Sequence, residues 1–110
     1  WERVSIVITA DDDAAQVSAG GVTEPVTPAE MGMAHPRNPS RFLESWKLLV
    51  RLATHGPIRP DSRDFSLKTP KRVERLRKAL QAFFGIPDDP FQPYRRAGGY
   101  APRFDLRRVR

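Results

Sequence analysis

Five cations, Lys71, Arg72, Arg75, Arg77 and Lys78, are interleaved between Pro70 and Phe84 with Val73, Leu76, Leu80 and the pair Phe83-Phe84. Wound at about 100° per residue with Lys71 at zero, Arg75 falls near 40°, Lys78 near 340°, and the apolar set roughly opposite. A helix of this kind packs through one side and offers positive charge on the other, a face suited to the major groove of DNA, which is wide enough to admit a helix. Lysine is a mobile point charge and suits phosphates, where position is tolerant. Arginine's planar fork matches the two acceptors on a guanine edge, so Arg72 and Arg75 are the candidates for base reading. Thr69 and Lys71, at the helix start, are candidates for meeting phosphate through unpaired amides and charge.

A second cationic group follows in Arg95-Arg96-Ala97-Gly98-Gly99-Tyr100, with Arg103, Arg107, Arg108 and Arg110 beyond it. The spacing predicts a hairpin over 94–106, turning at Ala97-Gly98-Gly99. Its Arg95, Arg96 and Arg103 are candidates for tracking phosphates or entering a narrow minor groove. Tyr100 has two readings, stacking on an unpaired base or packing the hairpin onto the core, and packing is the expected one.

Other chemistry finds little support. Cysteine is absent, which excludes disulfides, thiolate catalysis and cysteine-rich zinc sites. His35 and His55 lie far apart and neither has a catalytic neighbour. Asp11-Asp12-Asp13 could suggest a magnesium or calcium site, but consecutive strand residues point alternately and no spaced carboxylate loop follows, so a hairpin turn is expected. Phosphate-loop and dinucleotide patterns are missing. The expectation is a protein that is not an enzyme and takes no metal or cofactor.

The elements that position the cations can be read from punctuation and periodicity. The chain has 110 residues, of which 39% are hydrophobic, and is expected to form a single domain over 1–110. Its charge of +6 conceals an asymmetry. Residues 1–36 carry one cation against six anions, and residues 37–110 carry eighteen cations against seven anions. Val4–Thr9 is β-branched and predicts a strand; Ala14–Ser18 predicts a second, with Gly20-Gly21 turning toward Val22-Thr23. Residues 1–39 thus form a strand-rich region and linker. Prolines 25, 28, 36 and 39 suggest a mostly irregular connection over 24–40, with Thr27–Glu30 as one helical turn at most. A first helix is predicted from about Ser40, as cap, to Thr54, closed by Gly56-Pro57. Leu43, Leu48 and Leu52 widen its apolar arc. Residues 57–68 predict turns, with Phe65-Ser66-Leu67 extended, and the basic helix follows over 70–84.

Thr69-Pro-Lys-Arg-Val-Glu-Arg-Leu-Arg-Lys-Ala-Leu80, followed by Tyr94-Arg-Arg-Ala-Gly-Gly-Tyr100, resembles the end of a winged-helix DNA-binding domain of the response-regulator effector type. Val73, Arg75, Leu76, Arg77, Lys78 and Leu80 follow that family's recognition-helix pattern. Arg96, Gly99 and Tyr100 follow its wing, with Ala97 where the first wing glycine would stand. The resemblance implies a small winged-helix-like α+β fold with N-terminal antiparallel strands, two main helices and a C-terminal β-hairpin. It also implies double-stranded DNA as partner and transcription regulation as the setting. The family places a full helix between the two main ones, whereas residues 55–68 offer room for a shortened one around Ser62–Phe65.

Two rival readings rest on other residues. The acidic opening could pair with a partner domain or a second copy of the chain, making a protein-interaction module within a larger nucleic-acid-associated protein; exposure of Leu43, Leu48 and Leu52 would favour it. Tyr94 and Tyr100 could instead serve single-stranded nucleic acid, if their rings stand exposed and parallel. No membrane span or signal-peptide pattern occurs, so no membrane partner is expected and a cytoplasmic location is.

Overall fold

A computed structural model describes residues 1–109. β1 (Ser5–Ile8) pairs antiparallel with β2 (Ala15–Ala19), Ser5 opposite Ser18 and Ile8 opposite Ala15. The Asp11–Asp13 segment is the turn between them, with Asp12 at φ 59° and the Thr9 amide donating to the Ala14 carbonyl. β2 continues through Gly20 and Gly21, both at positive φ, into β3 (Val22–Val26). Two left-handed residues in succession give the turn whose twist suits a tight hairpin. Pro25 cannot donate to a ladder, and β3 is accordingly an edge strand of the sheet.

A small hairpin of β4 (Ala34–His35) and β5 (Asn38–Phe42) follows, then α1 (Glu44–His55) and α2 (Thr69–Phe84). A single turn of helix, α3 (Tyr94–Ala97), precedes β6 (Asp105–Arg108). β6 pairs parallel to β1, giving the sheet order β3-β2-β1-β6.

Alternation along the strands turns Ile6, Ile8, Ala15, Val17 and Val26 to the same buried cluster as Trp46, Leu49 and Leu52 of α1 and Val73, Leu76 and Leu80 of α2. The result is a small α+β domain of winged-helix-like shape: N-terminal strands, two main helices and a C-terminal strand pairing. Among the described residues no helix is long and apolar enough to cross a membrane.

Local structure departs from the expectation, or makes it specific, in four places. Ser40 does not cap α1; it lies in β5 with its hydroxyl on Asn38 Oδ1, and α1 begins after Leu43 without a side-chain cap. Pro36 lies in the β4–β5 turn and Pro39 within β5 in place of irregular chain, since a two-stranded ribbon tolerates residues that lack an amide donor at its edges. Thr27–Glu30 is a reciprocal capping box: the Glu30 amide donates to Thr27 Oγ1 and the Thr27 amide to Glu30 Oε1. Residues 59–65 form two successive turns, Ser62 amide to Arg59 carbonyl and Phe65 amide to Ser62 carbonyl, as the turn reading of 57–68 expects, and the shortened helix for which the family resemblance left room around Ser62–Phe65 does not form. Asp64 instead turns outward to Arg51 of α1, which also donates to the Gly56 carbonyl.

The hairpin expected over 94–106 does not form, because residues 94–97 are helical; the tail's return is held instead by Phe91 bridged antiparallel to Pro102 and the Gln92 amide on the Ala101 carbonyl. The incoming arm curls into α3 and the outgoing arm travels past this bridge to join β1. Pro93 sets the helical entry, and Gly98, left-handed at φ 72°, ends the turn with its amide on the Tyr94 carbonyl.

Candidate nucleic-acid interface

α2 is anchored by one flank and open on the other. Val73, Leu76 and Leu80 are buried, while Lys71, Arg75 and Lys78 are exposed. Among the described residues Lys71 and Arg75 have no ion-pair partner, and Lys78 has only Glu74 at 3.9 Å. A contact that long on a side chain 75% exposed is worth little and leaves the ammonium available to another anion.

Arg72 and Thr69 lie elsewhere. Arg72 is half-buried and lines a cleft between the helices with Leu48, Arg51, Ile58, Asp64 and Thr69. The Thr69 side chain is buried, and its hydroxyl accepts the Ser66 amide at 2.9 Å while its own amide donates to the Ser66 carbonyl. That reciprocal turn uses the hydroxyl at the mouth of α2 to hold the incoming loop.

Arg77, on the flank of α2, carries the tail. It donates to Glu74 and to Asp89 Oδ1 at 3.0 Å, and its guanidinium stands 5.8 Å from the Phe91 ring centroid. Partial burial opposes its charge, but Asp89 and Glu74 more than offset this and raise its pKa above the ordinary arginine value. Gln81, one turn on, donates to the carbonyls of Pro87 and Asp88. Residues 87–91 are thereby laid along the flank beside the open cationic face, with Asp89 already balanced by Arg77.

The tail's own cations divide into free and engaged. Arg95 and Arg96 on α3 are exposed and have no ion pair among the described residues. Arg103 is engaged: it donates to Glu2 Oε1 at 2.9 Å and to the Asp89 carbonyl at 2.9 Å. Arg108 donates to Asp12 Oδ1 and the Ala10 carbonyl, so it belongs to the β1–β2 turn. Tyr94 and Tyr100 pack on each other with ring centroids 4.8 Å apart at 59°. Burial, with Tyr94 alongside, raises the Tyr100 pKa. The rings are neither parallel nor both exposed, and Tyr100 joins the core's margin.

Gly99 lies against the backbone of Ile58, and Ile58 and Tyr100 exchange both of their amide–carbonyl bonds at 3.1 and 2.8 Å. Glycine is needed here for the close approach of two chains. Two residues of consequence carried no motif: Arg51, which ties α1 to Asp64 and the Gly56 carbonyl, and Leu67, which stands 99% exposed at the entrance to α2. Counting back four residues from Lys71 would have aligned Leu67 with the cations.

No family model matches the chain, nor does any curated protein or solved structure to which it was compared.

Proposed function

We propose that the chain binds double-stranded DNA, with the open side of α2 facing the major groove and the Arg95-Arg96 turn meeting neighbouring phosphates. The observation that carries this reading is the combination on α2 of a buried Val73–Leu76–Leu80 stripe with unpaired Lys71 and Arg75 and a nearly free Lys78 on the opposite side. Cations used for folding would be neutralised internally, as Arg51, Arg77, Arg103 and Arg108 are. Arg75 is the base-reading candidate; Lys71, Lys78, Arg95 and Arg96 serve phosphates. Arg72, Thr69 and Arg103 support the surface from behind. The resemblance to winged-helix effector domains supports transcription regulation as the setting.

Of the three leucines that bear on the protein-interaction reading, Leu48 and Leu52 are buried, which weighs against it, and Leu43 is exposed, which favours it; the tilt of the two tyrosine rings weighs against single-stranded nucleic acid. The test compares duplex DNA, single-stranded DNA and RNA across a salt titration. Duplex is expected to bind best, with log K falling against log salt by about 0.9 for each phosphate neutralised. Replacing Lys71 and Lys78 by glutamine should reduce that slope by about two, and Arg75→Gln should additionally relax any sequence preference. A folded sample that ignores duplex at low salt refutes the proposal.

A further inference from the structure

Leu67 is the most exposed of the large apolar side chains among the described residues, so it contributes nothing to the core. It is nevertheless held in place. The Ser66 amide donates to Thr69 Oγ1, the Thr69 amide to the Ser66 carbonyl and the Lys68 amide to Ser66 Oγ, closing a tight turn around it. Phe65 before this turn packs against the core, and Thr69 after it is buried.

Lys68 already has right-handed helical dihedrals, and the Arg72 amide donates to its carbonyl. The helical count therefore carries back to Leu67, about 40° from Lys71 on the face that bears Lys71, Arg75 and Lys78. Lys68 next to it, Lys71 one turn on and Arg63 in the preceding loop are exposed and have no ion pair among the described residues. Asp64, the nearer acid of the loop, is held by Arg51.

The geometry points to Leu67 as a sequence-reading contact that packs against thymine methyl groups in the major groove. The inference deepens the proposed function and rests on it. A leucine can form no hydrogen bond with a base edge, and the apolar group that base pairs present in that groove is the thymine methyl. The surrounding cations select a polyanion. A lone leucine, with no second large apolar side chain exposed between Pro57 and Pro70, offers a bilayer too small a face but is sufficient for one methyl contact.

The test measures binding of wild type and Leu67→Ala to two labelled duplexes that differ only in deoxyuridine replacing thymidine. Wild type should prefer the thymine duplex by about fourfold for each methyl buried. Leu67→Ala should bind both duplexes equally and keep the wild-type salt slope, because no charge has been removed. The same thymine preference in both proteins, or none in a wild type that binds duplex, overturns the inference and leaves the duplex reading intact. If wild type binds no duplex, the duplex reading fails and this inference with it. Vesicles of phosphatidylserine and phosphatidylcholine provide the remaining arm: sedimentation that depends on Leu67, with no thymine effect, assigns the side chain to lipid and overturns the inference.

Discussion

Replacing Gly99 with alanine tests how the arginine-bearing turn is held. A β-carbon at this position would overlap the Ile58 carbonyl oxygen and stand 3.0 Å from the Arg59 Cα and 3.1 Å from the Ile58 carbonyl carbon. These are backbone atoms and cannot swing aside, so the two strands must separate. The two Ile58–Tyr100 hydrogen bonds are then lost, at about 0.5–1.5 kcal/mol each, and the packing of buried Ile58 is loosened. Together these give a destabilisation of about 3 kcal/mol. Gly98→Ala is the control. It has φ 72° and nothing within 4 Å of a new β-carbon, so only left-handed strain of about 1 kcal/mol applies. Urea denaturation followed by tryptophan fluorescence measures both, since Trp1 and Trp46 are buried in the core. A Gly99→Ala protein no less stable than Gly98→Ala would refute the close-approach argument and the placement of the tail that depends on it.

Two further outcomes follow from the ion pairs. Arg103 donates to Glu2 and holds its carboxyl near a pKa of about 2, against an ordinary 4.5. Because the folded value is depressed, the pair's contribution is fully present above the unfolded pKa and is lost as pH falls toward 2. A carboxyl-carbon NMR titration should show this low midpoint, and Arg103→Gln should return it toward 4.5; an ordinary Glu2 midpoint in wild type contradicts the pairing. Asp64→Asn should lower global stability by less than about 1 kcal/mol, since the carboxylate is half exposed. It should nevertheless speed amide exchange at Ser62 and Phe65, whose turns Arg51 anchors to α1, and unchanged protection there would contradict that role.

Local punctuation was legible in the sequence. Gly20-Gly21, Gly56-Pro57 and Pro70 marked turns and helix ends because each acts through its own backbone dihedrals, and the stripes of α1 and α2 follow from period alone. What escaped was set by partners distant in the chain. The outgoing arm of the tail alternates like any strand, but nothing in Asp105–Arg108 states that its neighbour is Ser5–Ile8 or that the pairing is parallel. The same holds at the candidate interface. Lys71, Arg75 and Lys78 could be placed outward by angle, whereas Arg103 and Arg72 resemble them in type and differ only in what folds beside them. Asp89 and Glu2 lie 12 residues from Arg77 and 101 from Arg103, beyond any local pattern. Leu67 escaped for the opposite reason: an apolar residue in a run with Phe65 suggests burial, and its full exposure is a property of the pinned turn.

The parallel seam of β6 against β1 joins positions about a hundred residues apart, Ser5 to Asp105 and Ile8 to Arg108. Closing so large a loop is entropically slow, and it must precede any benefit from the contacts it makes. On the ribosome β1 emerges well before β6, and that side of its ladder stays unpaired until β6 follows. Completion of the sheet is thus a late event. A chain stalled before it would have a folded hairpin and helices, with β1 left as an open edge.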